Sequence, residues 1–150
     1  MQKVTLETIR QWQPLSTMEG ATEDVYRERI EAAYACDLPH QKLTPIPYVG
    51  NPEAIVHHNY EHELVALCPV TFLPDVYGLF ISYNPGEYIP ELKSLKLYLM
   101  DFIALPISHE HLLSKIYETF VAQIKPKSCK MKLVTNIRGG IETIVELGSV

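Results

Sequence analysis

Two segments with helical periodicity lie next to each other near the middle of the chain, and they constrain its fold more than any other feature. The first, about residues 91–103, carries an apolar stripe formed by Leu92, Leu95, Leu99 and Phe102. The second begins after Ser108, a residue suited to an N-cap, and continues to Lys125-Pro126. Its apolar face comprises Leu112, Leu113, Ile116, Tyr117, Phe120, Val121 and Ile124. Each helix therefore has one face that another element must cover.

Pairs of strand-like segments stand on both sides of these helices. Residues 64–70 and 76–83 are rich in β-forming side chains, and the connection between them is short enough for a hairpin. Residues 129–137 alternate apolar and polar side chains, and after a turn at 138–140 the segment 141–146 returns. The order ββααββ predicts an α+β fold, in which an antiparallel sheet carries both helices on one face.

The first 53 residues have a different character. Residues 1–22 show no strong period, residues 23–35 have a helical pattern, and five breakers follow: Pro39, Pro45, Pro47, Gly50 and Pro52. We therefore expect an N-terminal extension at residues 1–53, with one helix and a proline-rich loop, and a main domain at residues 54–150.

Charge and hydropathy exclude several classes of protein. The chain of 150 residues has 18 acidic against 13 basic residues, a formal net charge of −5, which argues against a broad nucleic-acid-binding surface and favours a small-molecule partner. The longest apolar stretch, about residues 95–107, is interrupted by Asp101 and Pro106 and predicts no membrane span. The N-terminus lacks the apolar core of a signal peptide, so we expect a cytoplasmic protein.

No metal site is expected. Cys36, Cys68 and Cys129 are too widely spaced for a disulfide framework or a zinc site. His57, His58 and His62 lack partner cysteines at ligand spacing, and strand alternation would put His57 and His58 on opposite faces.

Four motifs follow one another between residues 68 and 141. They are Cys68-Pro69-Val70-Thr71 with Pro74-Asp75, then Glu91-Leu92-Lys93-Ser94-Leu95-Lys96-Leu97-Tyr98, then His109-Glu110, and finally Arg138-Gly139-Gly140-Ile141. In order and spacing they resemble the QueF family of NADPH-dependent 7-cyano-7-deazaguanine reductases, in its short single-domain form.

The resemblance implies a tunnelling fold, whose members close their sheets into rings by subunit association. Short members of the family form rings that stack face to face, and their sites lie at subunit borders. The implied reaction is the NADPH-dependent reduction of the nitrile of 7-cyano-7-deazaguanine to an aminomethyl group, in the biosynthesis of queuosine, a modified nucleoside of tRNA. A homo-oligomer, a deazapurine substrate and NADPH are thus the implied partners, without direct contact to nucleic acid or membrane.

The resemblance assigns catalysis to Cys68, Asp75 and His109. A nitrile carbon is electrophilic, and a Cys68 thiolate would add to it and form a covalent thioimide. The nitrile nitrogen then needs a proton, which a partly desolvated Asp75 is assigned to donate, with help from His109. Taken singly, Cys68 is also typical of a buried thiol and Asp75 of a turn.

Substrate and cofactor residues come from the other motifs. The resemblance makes Glu110 the purine anchor, because a carboxylate can accept two parallel N–H bonds from the pyrimidine edge. His109 and the strip Pro90-Glu91-Leu92 are assigned to the same substrate. Lys93, Lys96, Arg138 and Gly139 are assigned to the phosphates of NADPH, and the chain has no G-x-G-x-x-G motif for a Rossmann site.

Two departures from the family pattern affect this assignment. The family usually has Gly-Gln-Pro-Asp where this chain has Phe72-Leu73-Pro74-Asp75, and Ser-Phe-Arg where it has Asp101-Phe102-Ile103. One polar side chain and one cation are therefore missing near the expected site.

Alternative functions remain open at this point. An archaeosine-forming amidinotransferase of the same family shares the Cys, Asp and Glu but acts on tRNA without NADPH. The Lys93/Lys96 pair and the acidic charge favour the reductase. A cyclohydrolase of the same fold would need zinc ligands, and no histidine closely follows Cys68. A non-catalytic oligomer that binds purines or pterins is the remaining alternative.

Overall fold

The computed structural model describes residues 4–150, and residues 1–3 of the predicted extension lie outside the described part. Six strands form two antiparallel sheets: β1 (Pro45–Pro47), β2 (Val56–Leu67), β3 (Pro74–Asn84), β4 (Tyr88–Pro90), β5 (Ser128–Thr135) and β6 (Ile144–Ser149). β1 pairs with β4, and the larger sheet has the order β2-β3-β5-β6. The helices are α1 (Leu6–Arg10), α2 (Glu23–Ala35), α3 (Leu92–Met100) and α4 (His109–Ile124), with 3₁₀ turns at Leu15–Thr17 and Asp101–Ala104.

The predicted order ββααββ is confirmed, with the larger sheet interrupted by α3 and α4. One face of β3 buries Tyr77, Leu79, Ile81 and Tyr83, each at most 1% exposed. These side chains share one core with the apolar faces of α3 and α4. Alternation along β3 thus turns one sheet face toward the helices and leaves the other face accessible.

The second helix follows its prediction closely. Ser108 is the N-cap of α4, and its hydroxyl accepts a hydrogen bond from the His111 N–H. Lys125 adopts the left-handed conformation, with φ of 53°, and ends the helix.

The start of the first helix differs from its prediction. We expected Pro90 in the first helical turn of a helix over residues 91–103. Instead Pro90 ends β4 opposite Pro45, and Glu91 caps a helix that begins at Leu92. Proline has no N–H to donate to a neighbouring strand, and the end of a strand tolerates this loss. The helical path then continues beyond Met100 as the 3₁₀ turn Asp101–Ala104.

The N-terminal segment contains more structure than the single predicted helix. α1 lies in a stretch without strong periodicity, and Thr5 caps it by accepting from the Thr8 N–H. A helix of one turn and a half is too short to generate a recognisable apolar repeat. Ile9, Ala33 and Leu43 belong to the same hydrophobic core as the sheet. The N-terminal segment and the sheet therefore share one hydrophobic core. The domain boundary at residue 53 stays a prediction.

Lys115 ties this N-terminal segment to α4. Its ammonium donates hydrogen bonds to the carbonyl oxygens of Ala33, Tyr34 and Cys36, at 3.3, 2.9 and 2.8 Å. These carbonyls belong to the end of α2, where a cation also complements the helix dipole. Burial lowers the pKa of Lys115. The three acceptors therefore offset part of the free energy required to bury its charge.

His57 and His58 contact neighbouring residues of β3, Ser82 and Tyr83, and so lie on opposite sheet faces as predicted. Among residues 4–150, no helix is long and apolar enough to cross a membrane.

Candidate active site

One cleft of about 630 Å³ brings together the ends of several elements. Its walls come from the loop after β2, the start of β3, the start of α4 and the hairpin between β5 and β6. Five of the predicted site residues line it: Cys68, Asp75, His109, Glu110 and Arg138. Residues separated by up to 70 positions in the chain therefore share one concave surface.

Backbone hydrogen bonds position Cys68 beside α4. The Leu67 N–H donates to the Leu105 carbonyl at 2.9 Å, and the Ile107 N–H donates to the Leu67 carbonyl at 3.0 Å. The end of β2 is thus held against the segment that leads into His109. Cys68 follows immediately and is half-buried, with a free thiol.

The loop after Cys68 is a tight turn. The Cys68 N–H donates to the Leu73 carbonyl and the Phe72 N–H donates to the Cys68 carbonyl, both at 2.9 Å. Phe72 has φ of 61°, in the left-handed region that favours glycine. Phe72 stands where the family usually has glycine, and it is the one residue of this loop whose backbone conformation favours glycine.

Arg138 reaches Asp75 across the cleft. Its Nη1 lies 2.8 Å from Asp75 Oδ1, and its Nη2 donates to the Pro74 carbonyl at 3.2 Å. The Asp75 side chain is 13% exposed and the Arg138 side chain 52%, so the carboxylate is the more buried partner of this pair. The family resemblance gave these two residues separate roles, and they lie 63 positions apart in the chain.

Arg138 also begins a two-residue hairpin turn. Arg138 and Ile141 exchange two backbone hydrogen bonds of 3.1 and 3.0 Å, and Gly139 and Gly140 have φ of 59° and 79°. Positive φ at both central residues defines a type I′ turn. This geometry explains both glycines without a phosphate, whereas the cofactor role of Gly139 remains a prediction.

His109 and Glu110 occupy the first turn of α4. Glu110 is exposed at the cleft and His109 is half-buried. His109 Nδ1 lies 2.8 Å from the Tyr77 hydroxyl, and the two rings meet edge to face with centroids 5.4 Å apart. Tyr77 was not among the predicted site residues, and only its place in the alternating pattern of β3 placed it near the helices.

Burial and the charged groups of the cleft both shift the pKa of Tyr77. Burial raises this pKa well above its ordinary value, and the negative charges of Asp75, Cys68 and Glu110 raise it further, while Arg138 acts in the opposite direction. Tyr77 thus lies beneath the cleft, within electrostatic reach of four of the predicted site residues.

The other predicted residues lie outside this cleft: Gly139 is in the hairpin turn, Pro90 ends β4, Glu91 caps α3, and Leu92, Lys93 and Lys96 lie on α3. Glu91 accepts hydrogen bonds from the Lys93 and Ser94 N–H groups, both at 2.7 Å, and these donors hold its pKa below the ordinary value. Leu92, Lys93 and Lys96 are exposed. Within one chain, the predicted residues on α3 therefore do not line the cleft that contains Cys68 and Glu110. Among residues 4–150 there is also no group of three or more His, Cys, Asp or Glu that could hold a metal ion.

Comparison with known proteins identifies the family. The model of the QueF-like proteins matches residues 74–149, half of the chain. The chain belongs to the QueF-like family. Relatives in this family include the NADPH-dependent 7-cyano-7-deazaguanine reductase of Sulfurovum sp. (strain NBC37-1), which is 38% identical over 87 residues, 58% of this chain and 70% of the relative. The protein of the same name from Syntrophus aciditrophicus (strain SB) is 44% identical over 84 residues, 56% of this chain and 60% of the relative.

A solved structure shows the fold of this QueF-like chain. The archaeosine synthase QueF-Like in the apo form superposes with a TM-score of 0.60 and covers 67% of this chain and 96% of that one. Its sequence identity is 19%, so this likeness concerns the fold alone. The expected tunnelling fold and the family resemblance are both confirmed.

Proposed function

We propose that this QueF-like protein reduces the nitrile of 7-cyano-7-deazaguanine to an aminomethyl group with NADPH. The observation that carries the proposal is the meeting of Cys68, Asp75, His109 and Glu110 in one cleft. The substrate and the reductant in this proposal are those in the names of the relatives, NADPH-dependent 7-cyano-7-deazaguanine reductases.

Cys68 and Asp75 would carry out the first step. The Cys68 sulfur adds to the nitrile carbon and the C≡N bond becomes C=N, so one proton leaves the thiol and one proton is needed at nitrogen. Asp75 can accept the thiol proton and pass it to that nitrogen, which balances the step. Asp75 Oδ1 lies 2.8 Å from Arg138 Nη1, and both residues line the cleft with Cys68. His109 would hold or deliver a proton at the same nitrogen as it becomes an amine.

Glu110 would determine which heterocycle binds. The carboxylate is exposed at the cleft and stands in the first turn of α4. It has two acceptor oxygens for the two N–H groups of a deazaguanine edge, and such charge-assisted pairs are stronger than neutral ones. We assign the purine edge to Glu110 and the nitrile end to Cys68, with Pro90, Glu91 and Leu92, at the end of β4 and the start of α3, as further lining.

Lys93 and Lys96 fit the phosphates of NADPH. Both side chains are exposed on one flank of α3, and neither forms an ion pair within residues 4–150. Two exposed ammonium groups can neutralise phosphate charge, and Arg138 lines the cleft. When bound, NADPH would supply the hydrides.

We further propose that the site is completed by a second copy of the chain. Cys68 and Glu110 lie in the cleft while Lys93 and Lys96 lie on α3, so one substrate and one cofactor would not engage both groups from one chain. Within residues 4–150, β2 and β6 are the outer strands of the larger sheet. Only the end of β2, at Leu67, also bonds the segment at Leu105–Ile107, so the remaining edges offer a route to ring assembly.

The test uses purified protein, the nitrile and NADPH. We expect nitrile-dependent loss of NADPH absorbance and a product with the mass of the aminomethyl compound, at two NADPH per product. Absence of nitrile-dependent oxidation would overturn the proposal. Incorporation of ammonia into a tRNA-bound nitrile without NADPH would instead indicate the amidinotransferase, and binding without any covalent adduct would indicate a purine-binding oligomer.

We also propose a cytoplasmic location. Cys36, Cys68 and Cys129 are free thiols, as is usual in a reducing compartment. Fractionation of cells that express a tagged chain would check this location.

A further inference from the structure

Tyr77 is a buried polar residue that the proposed chemistry does not yet use. It is 0% exposed and lies on β3, two positions after Asp75. Its hydroxyl lies 2.8 Å from His109 Nδ1, and its ring packs edge to face against the imidazole. Two separate contacts, one polar and one aromatic, therefore fix the orientation of the His109 ring.

The direction of this hydrogen bond follows from the proton count. A tyrosine hydroxyl carries one proton, and His109 Nδ1 is the acceptor within reach among residues 4–150. If Nδ1–H donated instead, the Tyr77 proton would be left buried without an acceptor, which is unfavourable. Tyr77 therefore donates to Nδ1. A neutral His109 then carries its own proton on Nε2.

We infer that Tyr77 is a positioning residue, which selects the Nε2–H tautomer of His109 and presents that N–H to the ligand in the cleft. The inference rests on the proposed function for the identity of that ligand, whose nitrile-derived nitrogen is an acceptor. The tautomer itself follows from the contact between Tyr77 and His109 alone.

The surroundings of Tyr77 keep it in the donor form. Burial and the nearby negative charges of Asp75, Cys68 and Glu110 raise its pKa well above the ordinary value, with Arg138 opposing them. The hydroxyl thus stays protonated while the groups above it gain or lose protons during a reaction. The Tyr77 hydroxyl is therefore a neutral hydrogen-bond donor at the base of the cleft.

Tyr83 provides a matched control on the same strand. It is also 0% exposed, its hydroxyl lies 3.1 Å from His58 Nε2, and its ring packs against Phe120. Tyr77→Phe and Tyr83→Phe each remove one buried hydroxyl that contacts a histidine. A general effect of losing such a hydroxyl will appear in both variants, whereas a positioning effect will appear only in Tyr77→Phe.

The first measurement is NMR of the ligand-free protein with isotope-labelled histidine ring nitrogens, at a pH where His109 is neutral. The His109 signals are assigned by their loss in His109→Gln. We expect an unprotonated, hydrogen-bonded Nδ1 in the wild type, and a displaced Nδ1 signal in Tyr77→Phe but not in Tyr83→Phe. A protonated Nδ1 in the wild type overturns the inference, and this outcome requires no variant to fold. Unchanged signals in a folded Tyr77→Phe also overturn it.

The second measurement is steady-state turnover of the nitrile. Tyr77→Phe should lower kcat roughly tenfold and leave the KM for NADPH nearly unchanged, because it disorients the His109 Nε2–H hydrogen-bond donor without touching the cofactor lysines. Tyr83→Phe should keep wild-type kcat. Wild-type kcat in Tyr77→Phe overturns the inference. If the wild type itself does not reduce the nitrile, the proposed function fails, while the NMR measurement still decides the role of Tyr77.

Discussion

Cys68 differs from the other two cysteines by its surroundings rather than by its sequence alone. Cys129 is 4% exposed, and burial raises the pKa of its thiol to about 12, so it has almost no thiolate at neutral pH. Cys68 is half-buried at the cleft wall. We expect Cys68→Ala to abolish turnover and the mass increase that the nitrile produces, and Cys129→Ala to retain the mass increase. Intact-protein mass spectrometry checks both, and an adduct that survives in Cys68→Ala would exclude the thioimide assignment.

Glu110 and Lys96 should affect different ligands. Glu110→Gln presents an N–H₂ group to one of the two purine donors, and loss of that charge-assisted contact should weaken nitrile binding by about 2–4 kcal/mol. Lys96→Ala removes a phosphate counter-charge and should weaken NADPH instead. Saturating each ligand in turn separates the two effects. The division of the site is wrong if Glu110→Gln impairs NADPH and spares the nitrile.

Single residues of the candidate site were predictable only where a motif marked them. Motifs marked Cys68, Asp75, His109 and Glu110, and these four residues line one cleft, while their roles stay predictions. The ion pair of Asp75 with Arg138 and the contact of Tyr77 with His109 join residues 63 and 32 positions apart. Such pairs depend on strand register and on the angle at which α4 meets the sheet, and no local pattern encodes either.

At the scale of elements, the loop between β2 and β3 holds one residue in a conformation that favours glycine. Phe72 has φ of 61°, a conformation that places its Cβ against the backbone at a cost of about 1–2 kcal/mol. Phe72→Ala and Phe72→Gly both remove the half-buried ring, but only glycine removes the Cβ. We expect the glycine variant to be more stable than the alanine variant by about 0.5–1 kcal/mol.

Leu73 is the control for this comparison, because it is exposed and lies outside the positive-φ positions. There alanine should be more stable than glycine, as is usual. Urea unfolding of all four variants measures the two differences. If alanine were more stable than glycine at both positions, the backbone at Phe72 would not be strained.

The elements with a long repeat were predictable and the short ones were not. Sixteen residues of α4 display one apolar face over several turns, and their bounds follow from Ser108 and Lys125. The three-residue strands β1 and β4 contain prolines and no repeat, so Pro90 was expected in a helix. Their pairing depends on a contact between segments about 45 residues apart, and a local pattern carries no information about it.

At the scale of the whole molecule, buried ionisable groups predict the response to alkaline pH. Burial raises the pKa of Tyr83 from 10.0 to about 12, with a smaller contribution from nearby Cys129, and burial also raises the pKa of Tyr98. Groups of this kind stabilise the folded state fully below their unfolded pKa, and this stabilisation is lost as the pH rises toward the folded value. The free energy of unfolding should therefore fall between pH 10 and about 12.

Lys115 acts in the opposite direction, because its lowered pKa favours folding as the pH rises toward 10.5. The tyrosines titrate at higher pH and outnumber it. Urea unfolding at successive pH values measures the net slope. Tyr83→Phe should make the decline shallower, and a free energy that stays constant up to pH 12 would contradict this account.

The assembly prediction concerns two chains at once. If the cleft of one chain works with α3 of another, a Cys68→Ala chain and a Lys93→Ala/Lys96→Ala chain can complement each other. Refolded together in equal amounts, they should regain activity at about a quarter of the sites, where the lysine variant contributes the cleft and the Cys68→Ala chain contributes α3. Cys68→Ala mixed with His109→Gln provides the control, because both residues line the cleft of the same chain and every mixed cleft keeps one defect. Recovery in the first mixture and not in the second is the expected result. Equal failure of both mixtures, in rings shown by sedimentation to be mixed, would mean that each chain holds its own complete site.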